Sequence, residues 1–197
     1  MIRFENVTFA YRGKPPVLES WSLAIPDGAR LSLFGASGIG KTTALRLLMG
    51  LERPRHGRVT GTEGLRFSAV FQENRLLSER TVLENAALFS DTETACRVLN
   101  RLGLADVLDS LPHQISGGQR RRAALGRALA HPFDVLVLDE ALTGLDGESA
   151  ERCLTAIDEI TADKTLVLVS HDKSHAERLR AVAVELGSPA PHGEGSV

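Results

Sequence analysis

Gly35-Ala36-Ser37-Gly38-Ile39-Gly40-Lys41-Thr42 has the spacing G-x-x-x-x-G-K-[ST]. Glycines so placed let backbone N–H groups face inward around a phosphate chain, and a helix opening directly behind them adds its partial positive charge. In such a loop the Lys41 ammonium reaches the β- and γ-phosphates of a nucleotide, and the Thr42 hydroxyl is a ligand for Mg²⁺. Thr43 continues the phosphate-contacting stretch into the first helical turn. The competing reading is a glycine-rich turn with Lys41 in solvent. The setting argues against it: Arg30 to Phe34 reads as a strand, and Thr43 to Met49 as a helix stopped by Gly50.

Two apolar runs carry further chemistry at their ends. Val135-Leu136-Val137-Leu138 leads into Asp139-Glu140, and Leu166-Val167-Leu168-Val169 leads into Ser170-His171. Unbroken branched runs indicate strands of a parallel sheet buried on both faces, and ligands of such sheets sit at the carboxyl ends of the strands. A carboxylate ending a buried strand is costly unless it is paired or metal-bound. Beside a phosphate loop, Mg²⁺ is the natural partner of Asp139, opposite Thr42. Glu140 is then placed to polarise an attacking water, a contribution of roughly 10²–10⁴-fold. A histidine such as His171 is by itself more often structural. Next to the loop and the acidic pair it becomes a donor to the γ-phosphate, or orients the water through Glu140.

Ile115-Ser116-Gly117-Gly118-Gln119 opens a helix expected to run to Ala130, ahead of Pro132. Ser116 and Gln119 have capping-box spacing. A cap alone does not explain the glycines, each of which costs ~1 kcal/mol against alanine in a helix. Backbone that must approach a phosphate closely does explain them.

The elements that position these groups follow from periodicity. Ile2, Phe4, Val7 and Phe9, then Leu18, Trp21, Leu23 and Ile25, alternate with polar residues and predict antiparallel strands with one wet face. Leu65 to Phe71 reads as another strand. Thr81 to Leu88 and Thr92 to Leu102 read as helices, so residues 73–114 are expected to be a helical insertion. The Gly-, Pro- and Ser-rich end, residues 188–197, is expected to be a flexible tail. Arg120-Arg121-Arg122 and Arg127 are expected to form a solvated or salt-bridged helix face. With 197 residues and net charge −2, the chain fits one large domain with no bulk attraction for nucleic acid. Cys96 and Cys153 form no CxxC and read as reduced core thiols of a cytosolic chain. No signal peptide or spanning segment is expected.

Together these residues resemble the ATP-binding-cassette (ABC) ATPases over residues 1 to about 187. Ile115 to Gln119 matches the L-S-G-G-Q signature except for isoleucine at the first position. Gln72 matches the Q-loop glutamine, Leu145-Asp146 the D-loop, His171 the switch histidine, and Tyr11 the aromatic that stacks on adenine. The resemblance implies an α/β P-loop NTPase: a mainly parallel core sheet (1–72 and 115–187), an N-terminal antiparallel β subdomain and the inserted helical subdomain. It implies ATP and Mg²⁺ as ligands, with Gln72 sensing the metal and the attacking water. It implies a head-to-tail dimer, expected to be a homodimer, in which Ser116, Gly117, Gly118 and Gln119 meet the nucleotide held by the partner, and Asp146 couples the two sites. Ala141 departs from the proline usual after the catalytic glutamate, and the Gln72–Ser116 segment is shorter than in most transporter cassettes, by about one to three helical turns.

Val70 to Leu77, followed by Thr81 to Asn85, is similar to nitrate, taurine and aliphatic-sulfonate importer cassettes. That implies integral permease subunits as partners, a solute-binding protein as a further possible one, and a place on the cytoplasmic face of the inner membrane. A soluble ABC ATPase acting on a protein assembly, such as iron–sulfur assembly, stays open at this point. A P-loop kinase leaves the Ser116–Gln119 stretch and His171 without a use.

Overall fold

Alternation in the first third produces a sheet, but with a change of phase that the pattern already contains. Ile2–Phe9 (β1) and Leu18–Ile25 (β2) pair antiparallel, with Ile2 opposite Ile25, Phe4 opposite Leu23 and Val7 opposite Trp21. Inward positions are even at Ile2 and Phe4 and odd at Val7 and Phe9. The register shift between Phe4 and Val7 absorbs that change. Asn6 takes φ 48 there, a left-handed conformation that asparagine tolerates, and its N–H is held by Ser22 Oγ at 2.9 Å. The other edge of β1 pairs with His56–Thr60 (β4), so the antiparallel sheet runs β2-β1-β4. A Cβ on Gly57 would stand 2.3 Å from Glu5 O and Asn6 O, so glycine is required where β4 meets the bulge. The structure is a computed structural model that describes residues 1–186. The tail expected over 188–197 lies outside the described residues.

The second sheet is wholly parallel, in the order β5-β6-β7-β3-β8: Phe67–Val70, Val135–Asp139, Thr165–Val169, Arg30–Phe34 and Val182–Glu185. Every residue of β6 and β7 is buried. Their alternating Val and Leu sort two cores. Val135, Val137, Val167 and Val169 face the antiparallel sheet and helix α1 (Lys41–Leu48). Leu136, Leu138, Leu166 and Leu168 face α4 (Gly117–Ala130) and α5 (Gly147–Ile160). Arg66 and Asp134 join the starts of β5 and β6, with Asp134 accepting from the Arg66 backbone N–H at 2.8 Å and from its guanidinium twice at 3.2 Å.

Residues between β5 and α4 are helical, as expected. They form α2 (Val82–Ala86), a 3₁₀ turn, α3 (Thr92–Arg101) and two further 3₁₀ turns. Thr81 and Glu84 make a full capping box, and Asp91 caps α3 through Thr94 N–H. The apolar side of α3 (Ala95, Val98, Leu99) packs in the same core as α4. The two helices meet at Gly126, where a Cβ would stand 2.6 Å from Leu99 Cδ2. A short α6 (Lys173–Arg178) precedes β8. No helix among the described residues is long and apolar enough to cross a membrane.

Two expectations need correction. Cys153 is buried, and burial pushes its thiol up to about 12, but Cys96 is only half-buried and accepts from Asn100 Nδ2 at 3.6 Å. The α4 arginines are not a solvated or salt-bridged face. They donate to backbone carbonyls: Arg120 to Pro112 and Ile115, Arg121 to Glu140, Arg122 to Leu102 and Gly103, and Arg127 to Asn74 and Arg75. The reason is location. This side of α4 faces connecting loops, whose carbonyls need donors.

Gly126→Ala gains ~1 kcal/mol of helix propensity but overpacks Leu99 by ~1–3 kcal/mol. We expect net destabilisation in urea unfolding; net stabilisation would mean that Leu99 yields freely. A second prediction concerns acid. The Arg66 contacts hold the Asp134 carboxyl down, from 3.8 to about 2. A depressed carboxyl contributes stability above its unfolded value that fades as pH falls through the folded one. The melting-temperature gap between the natural protein and Asp134→Asn is therefore expected to be full at pH 6 and to close between pH ~4 and ~2; a pH-independent gap would refute the ion-pair account.

Candidate nucleotide site

Strand order brings the chemistry together. β3, β7 and β6 are adjacent, so the loops leaving their carboxyl ends share one edge of the sheet. The Gly35–Gly40 loop leaves β3, Ser170-His171 leaves β7, and Glu140 leaves β6.

The loop is shaped by its glycines. Gly35, Gly38 and Gly40 have φ 146, 78 and 115. Gly40 is also sterically committed, because a Cβ there would stand 2.6 Å from Val17 Cγ1. Ala36, Ser37 and Gly38 are exposed, whereas Ile39 is half-buried against the antiparallel-sheet core. Gly40 stands at the N-cap of α1 with no side-chain cap and no acidic residue in the first turn, so the helix start keeps free N–H donors and an uncompensated dipole. Lys41 is 9% exposed and folds back, donating from Nζ to Gly35 O at 2.8 Å and Ala36 O at 3.0 Å. Its ammonium is thereby held over the loop, where an anion in the cradle meets it.

Thr42 Oγ1 donates to Asp139 Oδ2 at 2.7 Å. Asp139 is 3% exposed, and burial pushes its carboxyl up; the Thr42 hydroxyl opposes this, and the neighbouring Glu140 charge adds to it. A hydroxyl and a costly carboxylate, both hard oxygen donors, fit Mg²⁺ held in part by phosphate oxygens. They do not form an all-protein cage, and no group of three or more His, Cys, Asp or Glu suited to a metal occurs among the described residues.

Glu140 Oε1 stands 2.8 Å from His171 Nε2, and Oε2 accepts from Thr143 Oγ1 at 2.9 Å. The His171 side chain is 68% exposed and that of Glu140 12%. The carboxylate is thus sheltered, while its imidazole partner stands at the surface.

Tyr11 donates to or accepts from Thr43 Oγ1 at 3.1 Å and sets its ring edge-on to Phe9, centroids 4.9 Å apart. The Thr43 hydroxyl is engaged there. Ser116 and Gln119 cap α4 reciprocally: Gln119 N–H to Ser116 Oγ at 3.1 Å and Ser116 N–H to Gln119 Oε1 at 2.8 Å. Asp146 caps α5 through Ser149 N–H at 2.9 Å, a bond that also holds its carboxyl below the ordinary range. Gln72 is exposed just beyond β5. Among the described residues, Gln72, Ser116, Gly117, Gly118, Gln119 and Asp146 make no side-chain hydrogen bond to the Lys41–Thr42–Asp139 or Glu140–His171 groups. Sequence reasoning passed over Thr143 and Arg121, which both bind Glu140. The only signal for Thr143 was a hydroxyl three residues past an acid in a short turn.

A family model described as ABC transporter matches residues 18–143. An aliphatic sulfonates import ATP-binding protein of Rhodococcus jostii (strain RHA1) is 41% identical over 168 residues, which span 81% of this chain and 69% of that protein. A thiamine import ATP-binding protein of Chelativorans sp. (strain BNC1) is 34% identical across 100% of this chain and 88% of its own length. The match to a methionine import ATP-binding protein of Bradyrhizobium diazoefficiens, 36% identical, spans 94% of this chain but 62% of that protein. The dimeric structure of a bacterial ABC transporter cassette superposes with a TM-score of 0.86 at 26% identity, over 97% of both chains. The motif order read from the residues and the geometry they adopt agree with these likenesses: the chain belongs to the ABC transporter family, as an ATP-binding, ATP-hydrolysing cassette.

Proposed function

We propose that this cassette drives solute import through separate membrane permease subunits, working as a head-to-tail homodimer that closes on ATP and Mg²⁺. The observation that carries the dimer is the start of α4. Gly117 is exposed, and a Cβ on it would find nothing nearer than Arg120 at 3.9 Å; on Gly118 the nearest atom is Leu145 at 3.6 Å. Neither has the positive φ that favours glycine. Nothing among the described residues requires glycine at either place, so we place the requirement in a partner. A phosphate held by the Lys41 loop of a second copy is the occupant that fits.

When bound, ATP with Mg²⁺ supplies the phosphoanhydride bond and the charge to which both halves are drawn. Gly35 to Thr43 hold the phosphates, Lys41 by its ammonium. Thr42 and Asp139 hold the metal, with Gln72 reaching it from the start of the insertion. Tyr11 lies against the adenine. Glu140 takes a proton from the attacking water, and His171 fixes that carboxylate from the open side. Ser116 to Gln119 complete the partner's pocket, and Asp146 lies where the two copies meet. Residues 73–114 form the unit that receives the permease.

Import is supported by the names of the relatives, which are import subunits for sulfonates, thiamine and methionine. The same names favour a permease over a soluble protein assembly as partner. The cassette then sits on the cytoplasmic face of the inner membrane, and a solute-binding protein belongs to the same system.

Lys41→Ala removes the ammonium held over the phosphate loop, and ATP affinity is expected to fall about 100-fold in equilibrium titration. Ser116→Arg is expected to abolish ATPase activity while the monomer still binds ATP; lost ATP binding instead would place Ser116 in the cis pocket and sink the dimer reading. Glu140→Gln is expected to trap an ATP-bound dimer in light scattering, with turnover down at least ~100-fold.

A further inference from the structure

Glu140 stands in a conformation that has to be held. Its φ is 57, in the left-handed region where a non-glycine residue without a local side-chain bond is strained. The next residue is Ala141, so no proline ring stiffens the turn. What fixes it instead is a set of hydrogen bonds. The Glu140 N–H donates to Val169 O at 3.0 Å, a strand-end bond that any residue could make. The Glu140 carbonyl accepts from the Arg121 guanidinium at 3.1 Å and from Thr143 N–H at 3.2 Å. The carboxylate accepts from the Thr143 hydroxyl at 2.9 Å.

We infer that Arg121 and Thr143 are positioning residues for Glu140, Arg121 fixing its backbone and Thr143 the carboxylate oxygen that His171 does not hold. The inference rests on the reading of Glu140 as the base. It has a consequence for the dimer. Arg121 lies on α4, five residues after Ser116, or about 7.5 Å along the helix axis. One rigid helix therefore carries both the end offered to the partner's nucleotide and the side chain that holds this chain's own base.

The test is steady-state ATPase kinetics of Arg121→Ala, Arg121→Lys, Thr143→Val and Thr143→Ser, with the alanine and valine changes repeated in a Glu140→Gln background. Arg121→Ala and Thr143→Val are each expected to lower kcat about 10-fold, with KM for ATP within about twofold of the natural protein. Arg121→Lys and Thr143→Ser are expected to restore most of the loss. In the Glu140→Gln background, neither change is expected to lower single-turnover hydrolysis further, because both act through that carboxylate. Natural kcat in both variants, or an undiminished loss without the carboxylate, overturns the inference while leaving Glu140 as base. Natural turnover in Glu140→Gln alone removes the base itself. Should Arg121→Ala fail to fold, Thr143→Val, on an exposed side chain, decides the matter with its melting temperature as control.

Discussion

Four guanidinium groups on α4 bond to backbone carbonyls in four separate connections. Carbonyls in loops have no ladder or helix partner, and leaving one buried and unpaired costs on the order of 1–3 kcal/mol. Arginine suits this task because its donors are arranged in a planar fork, and a bond from a charged donor is stronger than a neutral one. Arg127 uses both arms of the fork on Asn74 and Arg75, and Arg122 reaches the successive carbonyls of Leu102 and Gly103 from one terminal nitrogen. The helical insertion is thereby tied at its entry, near Gln72, and at the turn leaving α3. Arg121 ties the same helix to Glu140. Burial of Arg127 lowers its guanidinium pKa, but from a value so high that the charge is kept.

The sheet makes this arrangement consequential. β6 and β7 separate two cores, one under the antiparallel sheet and α1, the other under α4, α5 and the insertion. Thr42 and Asp139 close their bond at the end of β6 on α1, and Glu140 is met from α4 one residue later. The step from Asp139 to Glu140 is therefore where the nucleotide-holding half of the fold touches the half that contacts α4. The positive φ falls on that residue. Strain placed there is held by bonds from both sides, so a movement of either half alters the geometry of the carboxylate.

Much of this was legible in sequence because its signals were local. The loop pattern, the two apolar runs and the acids at their ends depend on neighbours in the chain, and the structure brings Thr42, Asp139, Glu140 and His171 to one edge. The bulge in β1 was not expected from the alternation, although Ile2 and Phe4 stand out of phase with Val7 and Phe9. β4 was not legible: in His56-Gly57-Arg58-Val59-Thr60 only Val59 is apolar, and the strand exists because the free edge of β1 receives it. β8 has a single half-buried residue, Val184, and depends on pairing with β3. The arginine run was misread because charge patterning reports where a guanidinium prefers water, not which carbonyls a fold will bring to it. Thr143 was missed for the same reason: its partner is fixed by the shape of a turn.

Helix starts show how function has shaped stability here. α2, α3, α4, α5 and α6 each carry a side-chain cap, from Thr81, Asp91, Ser116, Asp146 and Asp172. α1 has none. A serine or aspartate in place of Gly40 would ordinarily contribute ~1 kcal/mol. At φ 115, with Val17 2.6 Å from where a Cβ would stand, neither is admitted. A cap would also occupy the N–H groups that an anion needs, and an aspartate would repel it. The cap on α4 is compatible with a ligand for the opposite reason. Its box uses the N–H groups of Ser116 and Gln119, leaving those of Gly117 and Gly118 free between them on the open surface. One helix forgoes a cap and keeps its first N–H groups open. The other keeps its cap and still leaves two small residues uncovered at its start.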